Sequence, residues 1–141
     1  MTYRSDMETS DIVRMLSEKC ETTNQAKRVS KKYYGNACII SGQVPDGAHI
    51  FNAGSYPQLK NYPANIVPVA RWHHSTRGNQ NCMDYNGNRN RTPGEKIQWL
   101  KSYVIDPYAK ALLRVQFLVL HTVLENEGVI YDFGKELIDY E

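Results

Sequence analysis

Nine consecutive residues, LLRVQFLVL from Leu112 to Leu120, would be apolar on nearly every side of a helix, interrupted only by Arg114 and Gln116. Such a helix cannot lie on a surface; it must be surrounded by the rest of its own chain or by a second copy. The sequence therefore predicts either a helix at the centre of the core or a homodimer interface through the C-terminal helix. The punctuation around it is clear. Thr92-Pro93-Gly94-Glu95 offers an N-cap Thr, a Pro at the first helical position and a Glu that completes a capping box. That helix runs through IQWLKSYVI, breaks at Asp106-Pro107 and resumes to about Asn126, before Glu127-Gly128. His121 sits inside FLVLHTVL and is expected to be a satisfied core or interface histidine with no catalytic role.

The chain N-terminal to this pair of helices has a different rhythm. Residues 10–34 read as helix, with Ile12, Val13, Leu16, Ala26 and Val29 as the buried face, although Thr22, Thr23 and Asn24 could divide it; Gly35 and Asn36 end it. ACIISG then reads as a short buried strand, QVPDG as a turn and AHIF as the returning strand, so residues 37–51 resemble a hairpin. Residues 52–64 have the Gly, Pro and Asn content of an ordered loop. IVPV resumes as a strand that Pro68 keeps short or at an edge, and ARWHH turns into helix around His73 and His74. The Asn-rich NQNCMDYNGNRNRTPG reads as a surface loop. The expected class is α+β in one domain, with a helical region at 1–36, a central unit at 37–80, and a loop followed by helices at 81–141.

A chain of 141 residues can bury a real core. No run of about 18 apolar residues occurs, so no membrane span is expected. The polar start MTYRSDMETSD lacks the apolar centre of a secretory signal. Cys20, Cys38 and Cys82 are odd in number and widely spaced, which suits free thiols in a reducing cytoplasm and excludes a four-cysteine zinc site. The small net charge hides an asymmetry. Residues 60–101 carry seven Lys/Arg against two Asp/Glu, a local excess of five positive charges that suits a phosphate-bearing partner.

That basic segment contains NIVPVARWHH, a strand-like run ending in two of the four histidines. The order along the chain is strand with His49, loop with Asn65, strand, then helix with His74. Hydrolysis of a phosphodiester needs a base for water, a cation for developing charge and positive groups to hold the nucleic acid. A neutral histidine suits the first task near pH 7. His, Asn or Asp ligands suit the second, and Lys60, Arg71, Arg77, Arg89 and Arg91 suit the third.

In these residues the chain resembles the HNH endonucleases of the ββα-metal superfamily. AHI matches the family's first histidine, NIVPV its Asn opening the second strand, and His74 falls nine positions after Asn65, as the family's last histidine does. The likeness covers residues 37–80. It implies a metal-dependent DNA endonuclease of the kind phages and mobile elements carry. His49 would be the general base, Asn65 the loop-holding residue that orients His49 or touches the metal, and His74 a ligand to one Mg²⁺ or Mn²⁺, or Zn²⁺. Arg71 and Arg77 would grip phosphate.

Two positions depart from the family's pattern. Many members place a metal-ligating Asp or His directly before the first histidine, where this chain has Ala48; Asp46, His73 and Asp84 are the local substitutes, with Asp46 taken as the ligand alongside His74 and Asn65. Many members also brace the fold with zinc-binding cysteine pairs, of which Cys38 remains while Ser41, Ala70 and His73 stand at the other positions. Bracing is then expected from packing of the C-terminal helices. Two other readings remain open: an HNH-like fold that binds nucleic acid without cutting it, and a zinc-binding module built from Cys38, His73, His74 and Cys82. Tyr33, Tyr34, Tyr56, Tyr62 and Tyr85 lie near basic residues and could stack bases, but ordinary packing with a bonded hydroxyl accounts for most such tyrosines.

Overall fold

The computed structural model describes residues 6–76, 78–131 and 137, and the side chains of residues 6–10 and 12 lie outside that description, Ile12 among them. Helices surround a small antiparallel sheet, an α+β arrangement. Helix α1 spans Asp6–Ser17 and α2 spans Thr23–Tyr33. The break between them follows from Thr22, whose side chain accepts from Gln25 N–H while Gln25 reaches back to the Thr22 N–H. This capping box satisfies donors that a continuous helix would have bonded elsewhere. Gly35 (φ 77°) and Asn36 (φ 62°) stop α2 in the left-handed region.

Residues 37–51 are not the hairpin that alternating apolarity suggests. ACIISG forms a turn instead: Gly42 N–H donates to Cys38 O, Cys38 N–H donates to Gln43 O, and Cys38 Sγ accepts from the N–H groups of Ile40 and Ser41. Cys38 and Ile39 are apolar because they anchor this turn in the core. Strand β1, Asp46–His49, pairs antiparallel with β2, Ile66–Val69, opposing His49 to Ile66 and Asp46 to Val69. Pro68 does keep β2 short. A one-turn helix α3, Arg71–His74, follows it directly. The intervening loop contains two 3-10 turns, Pro57–Leu59 and Pro63–Asn65.

The Asn-rich segment also carries more order than a surface loop. Strands β3 (Tyr85–Asn86) and β4 (Arg89–Asn90) form a tight hairpin around Gly87-Asn88, with Gly87 at φ 66°. Just before it, Cys82 and Met83 are fully buried. Helix α4, Pro93–Tyr103, starts at the expected Thr92–Glu95 capping box, and α5, Pro107–Asn126, starts at Asp106, whose side chain accepts from Ala109 N–H.

Helix α5 buries one face in the core but is not surrounded as its sequence predicts: a stripe through Ala111, Arg114, Leu118 and Thr122 is exposed. Leu113, Phe117, Leu120, Val123 and Leu124 are buried within the chain, and Leu118 is left half exposed. Helix α1 packs on α5, α2 packs on β2, and all three helices touch the Pro63–Asn65 turn. Polar contacts fix the same layer. Fully buried Gln116 donates from Nε2 to Ala64 O (2.9 Å) and Ile66 O (2.8 Å) and accepts from Tyr34 Oη, while Tyr33 Oη donates to Leu112 O. Bracing by the C-terminal helix is thus realised through one glutamine and two tyrosines. His121 is satisfied, 2.6 Å from Tyr131 Oη and 3.6 Å from Glu125. No helix among the described residues is long and apolar enough to cross a membrane.

Candidate active site

The loop between β1 and β2 is held from inside by Asn65, which is fully buried. Its Oδ1 accepts from Phe51 N–H (2.7 Å), and its Nδ2 donates to Phe51 O (2.9 Å) and Leu59 O (3.2 Å). These bonds commit the whole amide to the loop backbone and leave none of it facing solvent. Asn65 therefore performs the loop-holding task, and the expectation that it also touches a metal has no free amide atom to carry it.

Residue Lys60, next to Leu59 in that loop, presents its carbonyl to His49 Nε2 at 2.9 Å. A carbonyl can only accept, so Nε2 carries the proton and the imidazole lone pair is at Nδ1. Burial pushes the His49 pKa below its usual value, the Lys60 carbonyl opposes this, and the charges of Lys27, Lys96 and His74 lower it further. His49 is consequently neutral at pH 7. Lys27 comes close because Gly47 lets it: a Cβ at Gly47 would stand 2.5 Å from Lys27 Cγ.

His74 lies between two carboxylates. Its Nδ1 is 3.2 Å from Asp46 Oδ2 and its Nε2 is 3.4 Å from Asp84 Oδ2. Asp46 reaches it from β1 and also takes Arg71 Nε at 2.7 Å on the same oxygen. Burial alone would raise the Asp46 carboxyl, but the hydrogen bonds and charges of Arg71 and His74 outweigh it and hold the pKa below the ordinary value. Asp84 arrives by a backbone route. Met83 N–H donates to His73 O (2.7 Å) and Asp84 N–H to His74 O (3.0 Å), laying this segment along α3. Lys96 on α4 closes the arrangement. Only 6% exposed, it donates from Nζ to His49 O (3.0 Å) and lies 3.4 Å from Asp84 Oδ1. One buried cation thus links the strand that carries His49 to the carboxylate beside His74. Nothing in the local sequence around Lys96 distinguishes it from a surface lysine of an amphipathic helix.

The expected phosphate grip is unevenly distributed. Arg71 is highly exposed beside the half-exposed Trp72, and Lys60 is exposed. Arg89 is engaged in both branches of its guanidinium by Glu95 (2.8 and 2.7 Å), and Arg91 is committed to Cys82 O and Asn81 Oδ1. Arg77 lies outside the described residues. Tyrosines near the basic residues are engaged in the fold: Tyr62 donates its hydroxyl to Glu127, and the Tyr56 ring packs edge-on to Phe51. The four candidate zinc donors do not converge. Cys38 Sγ serves its own turn, Cys82 Sγ points to Thr76 O, and among the described residues no three His, Cys, Asp or Glu side chains gather into a metal-holding group.

Comparisons with protein-family models, with curated proteins and with solved structures find no match to this chain.

Proposed function

We propose that the chain is a metal-dependent DNA endonuclease with a ββα-metal centre of the HNH type, built on β1, β2 and α3. The observation that carries this reading is the pairing of His49, neutral and held at Nε2 by Lys60 O, with the fully buried Asn65 that fixes the same loop. A histidine held in that way is prepared to act as a base. Water attacking the scissile phosphorus gives its proton to His49 Nδ1 as the new O–P bond forms and the bond to the leaving oxygen breaks. The Lys60 carbonyl stabilises the imidazolium that results and fixes its plane. Arg71, exposed on α3 and held by Asp46 only through Nε, would turn the rest of its guanidinium to the phosphate chain, and Lys60 adds a second positive charge.

His74 with one of the carboxylates beside it would suit a hard divalent ion such as Mg²⁺ or Mn²⁺, which keeps several waters and needs only one or two protein ligands. Such an ion supplies positive charge at the transferring phosphate and the departing oxygen. Supercoiled plasmid incubated with the protein in Mg²⁺, Mn²⁺, Zn²⁺ or EDTA tests the reading. Metal-dependent nicking is expected, with His49→Ala reducing it by at least about a hundredfold, the usual worth of a general base. Plasmid bound but left intact in every metal would instead make the chain a DNA-binding protein that keeps the fold without the reaction.

A further inference from the structure

The position before His49 is Ala48, fully buried and without a donor atom, so a cation held by His74 must find its second protein ligand elsewhere. Asp46 and Asp84 both approach His74, from opposite ring nitrogens, and their surroundings differ. Asp46 Oδ2 already accepts from Arg71 Nε and His74 Nδ1. As a metal ligand through Nε2, His74 would keep its proton on Nδ1 against Asp46, as in the carboxylate–histidine pairs that orient metal-bound imidazoles. The Nε2 lone pair then faces Asp84 Oδ2 at 3.4 Å. A divalent cation placed between these two donors would be held by both. Adjacent donors of one octahedral ion, each ~2.1 Å from it, lie ~3 Å apart, close to the spacing already present.

We infer that His74 Nε2 and Asp84 Oδ2 together hold the divalent cation, with Asp46 acting behind the ring as the positioning residue. The assignment rests on the nuclease reading above and names the ligand that replaces the missing one at Ala48. Lys96 contributes by engaging Asp84 Oδ1, which turns Oδ2 toward His74. The backbone bonds from Met83 to His73 and from Asp84 to His74 keep the carboxylate at that distance before any ion arrives.

The test is Mn²⁺ binding to DNA-free protein, followed by electron paramagnetic resonance of the free ion, in the wild type, Asp84→Asn and Asp46→Asn. Asp84→Asn is expected to weaken binding more than Asp46→Asn, which should lose roughly ten- to a hundredfold as outer partners of metal ligands do. A second pair of variants reads ligation directly. Asp84→Cys should gain a thiolate-to-Cd²⁺ ultraviolet band on addition of Cd²⁺, above the wild-type background of Cys20, Cys38 and Cys82, whereas Asp46→Cys should not. Wild-type protein that binds no Mn²⁺, Asp84→Asn that binds like wild type, or a Cd²⁺ band in Asp46→Cys alone would overturn the assignment. Cleavage of DNA by wild-type protein alongside such a result would leave the nuclease reading standing. Conversely, Mn²⁺ bound through Asp84 without any cleavage would sink the nuclease reading and keep the ligand.

Discussion

At the scale of the residue, His49 has the most consequences. Its pKa is depressed because burial and the surrounding positive charges disfavour the imidazolium. If the proposed nuclease uses His49 as its base, proton abstraction needs the neutral form, so cleavage should stay level through neutrality and fall only below about pH 6.5, the ordinary histidine value. The same shift acts on stability with a definite sign. As pH drops below about 6.5 the unfolded chain takes up this proton while the native chain resists it, so the native state loses stability in that window. Urea unfolding of His49→Gln should show a shallower loss between about pH 6.5 and 5 than wild type. An unchanged slope would place the acid sensitivity elsewhere. His49, Asn65 and His74 can be singled out in the sequence as candidates, because their types and spacing are the whole of the signal. Asp84 is legible only as one of several carboxylates and imidazoles nearby. Its place beside His74 depends on two backbone hydrogen bonds that bring the chain back along α3, which no local pattern encodes.

Elements repeat that lesson in both directions. The capping box of α4 and the Asp106-Pro107 restart are local chemistry that the sequence reports, while the Thr22–Gln25 box of α2 shows there only as a possible break at Thr22, Thr23 and Asn24. The apolar run ACIISG misleads, because buried turn anchors and buried strand residues have the same composition, and only the Cys38–Gly42 bond separates them. The β3–β4 hairpin escapes a reading of the sequence although Gly87-Asn88 is a two-residue hairpin signal, because polar flanks obscure the strands. At α4 the capping residue has a second partner: Glu95 engages Arg89 and the Thr92 backbone, and its carboxyl is held at about 2. Glu95→Gln keeps a capping side chain but surrenders the charge that neutralises Arg89. DNA binding measured against salt should tighten at low ionic strength, its log–log slope steepening by about 0.9, the signature of one more phosphate neutralised. An unaltered slope would mean that Arg89 does not face the nucleic acid.

For the whole molecule, the telling residue is Gln116. It grasps the backbone entering β2 from α5 through two donated bonds, and it also accepts from Tyr34 at the end of α2. Gln116→Leu has similar volume but takes the donor from the buried Ala64 carbonyl, one of two donors from Ile66 O, and the acceptor from Tyr34 Oη. A loss of about 3 kcal/mol is expected, read as a lower urea midpoint with an unchanged slope. A loss below about 1 kcal/mol would mean that apolar packing alone holds α5 against β2. LLRVQFLVL predicts a helix buried on every side, and α5 buries one face while Arg114 and Leu118 stay exposed on the other.

The glutamine clamp bears on how the proposed centre could be moved between proteins. Residues 37–80 contain His49, Asn65 and His74, yet the carbonyls of Ala64 and Ile66 within them are claimed by a side chain far downstream, and Ile66 O also accepts from Ser30 upstream. A cysteine-braced centre carries its own fastening and can be transplanted as a cassette. This one borrows its fastening from both neighbours, so recombination that moves the histidines must move α2 and α5 with them.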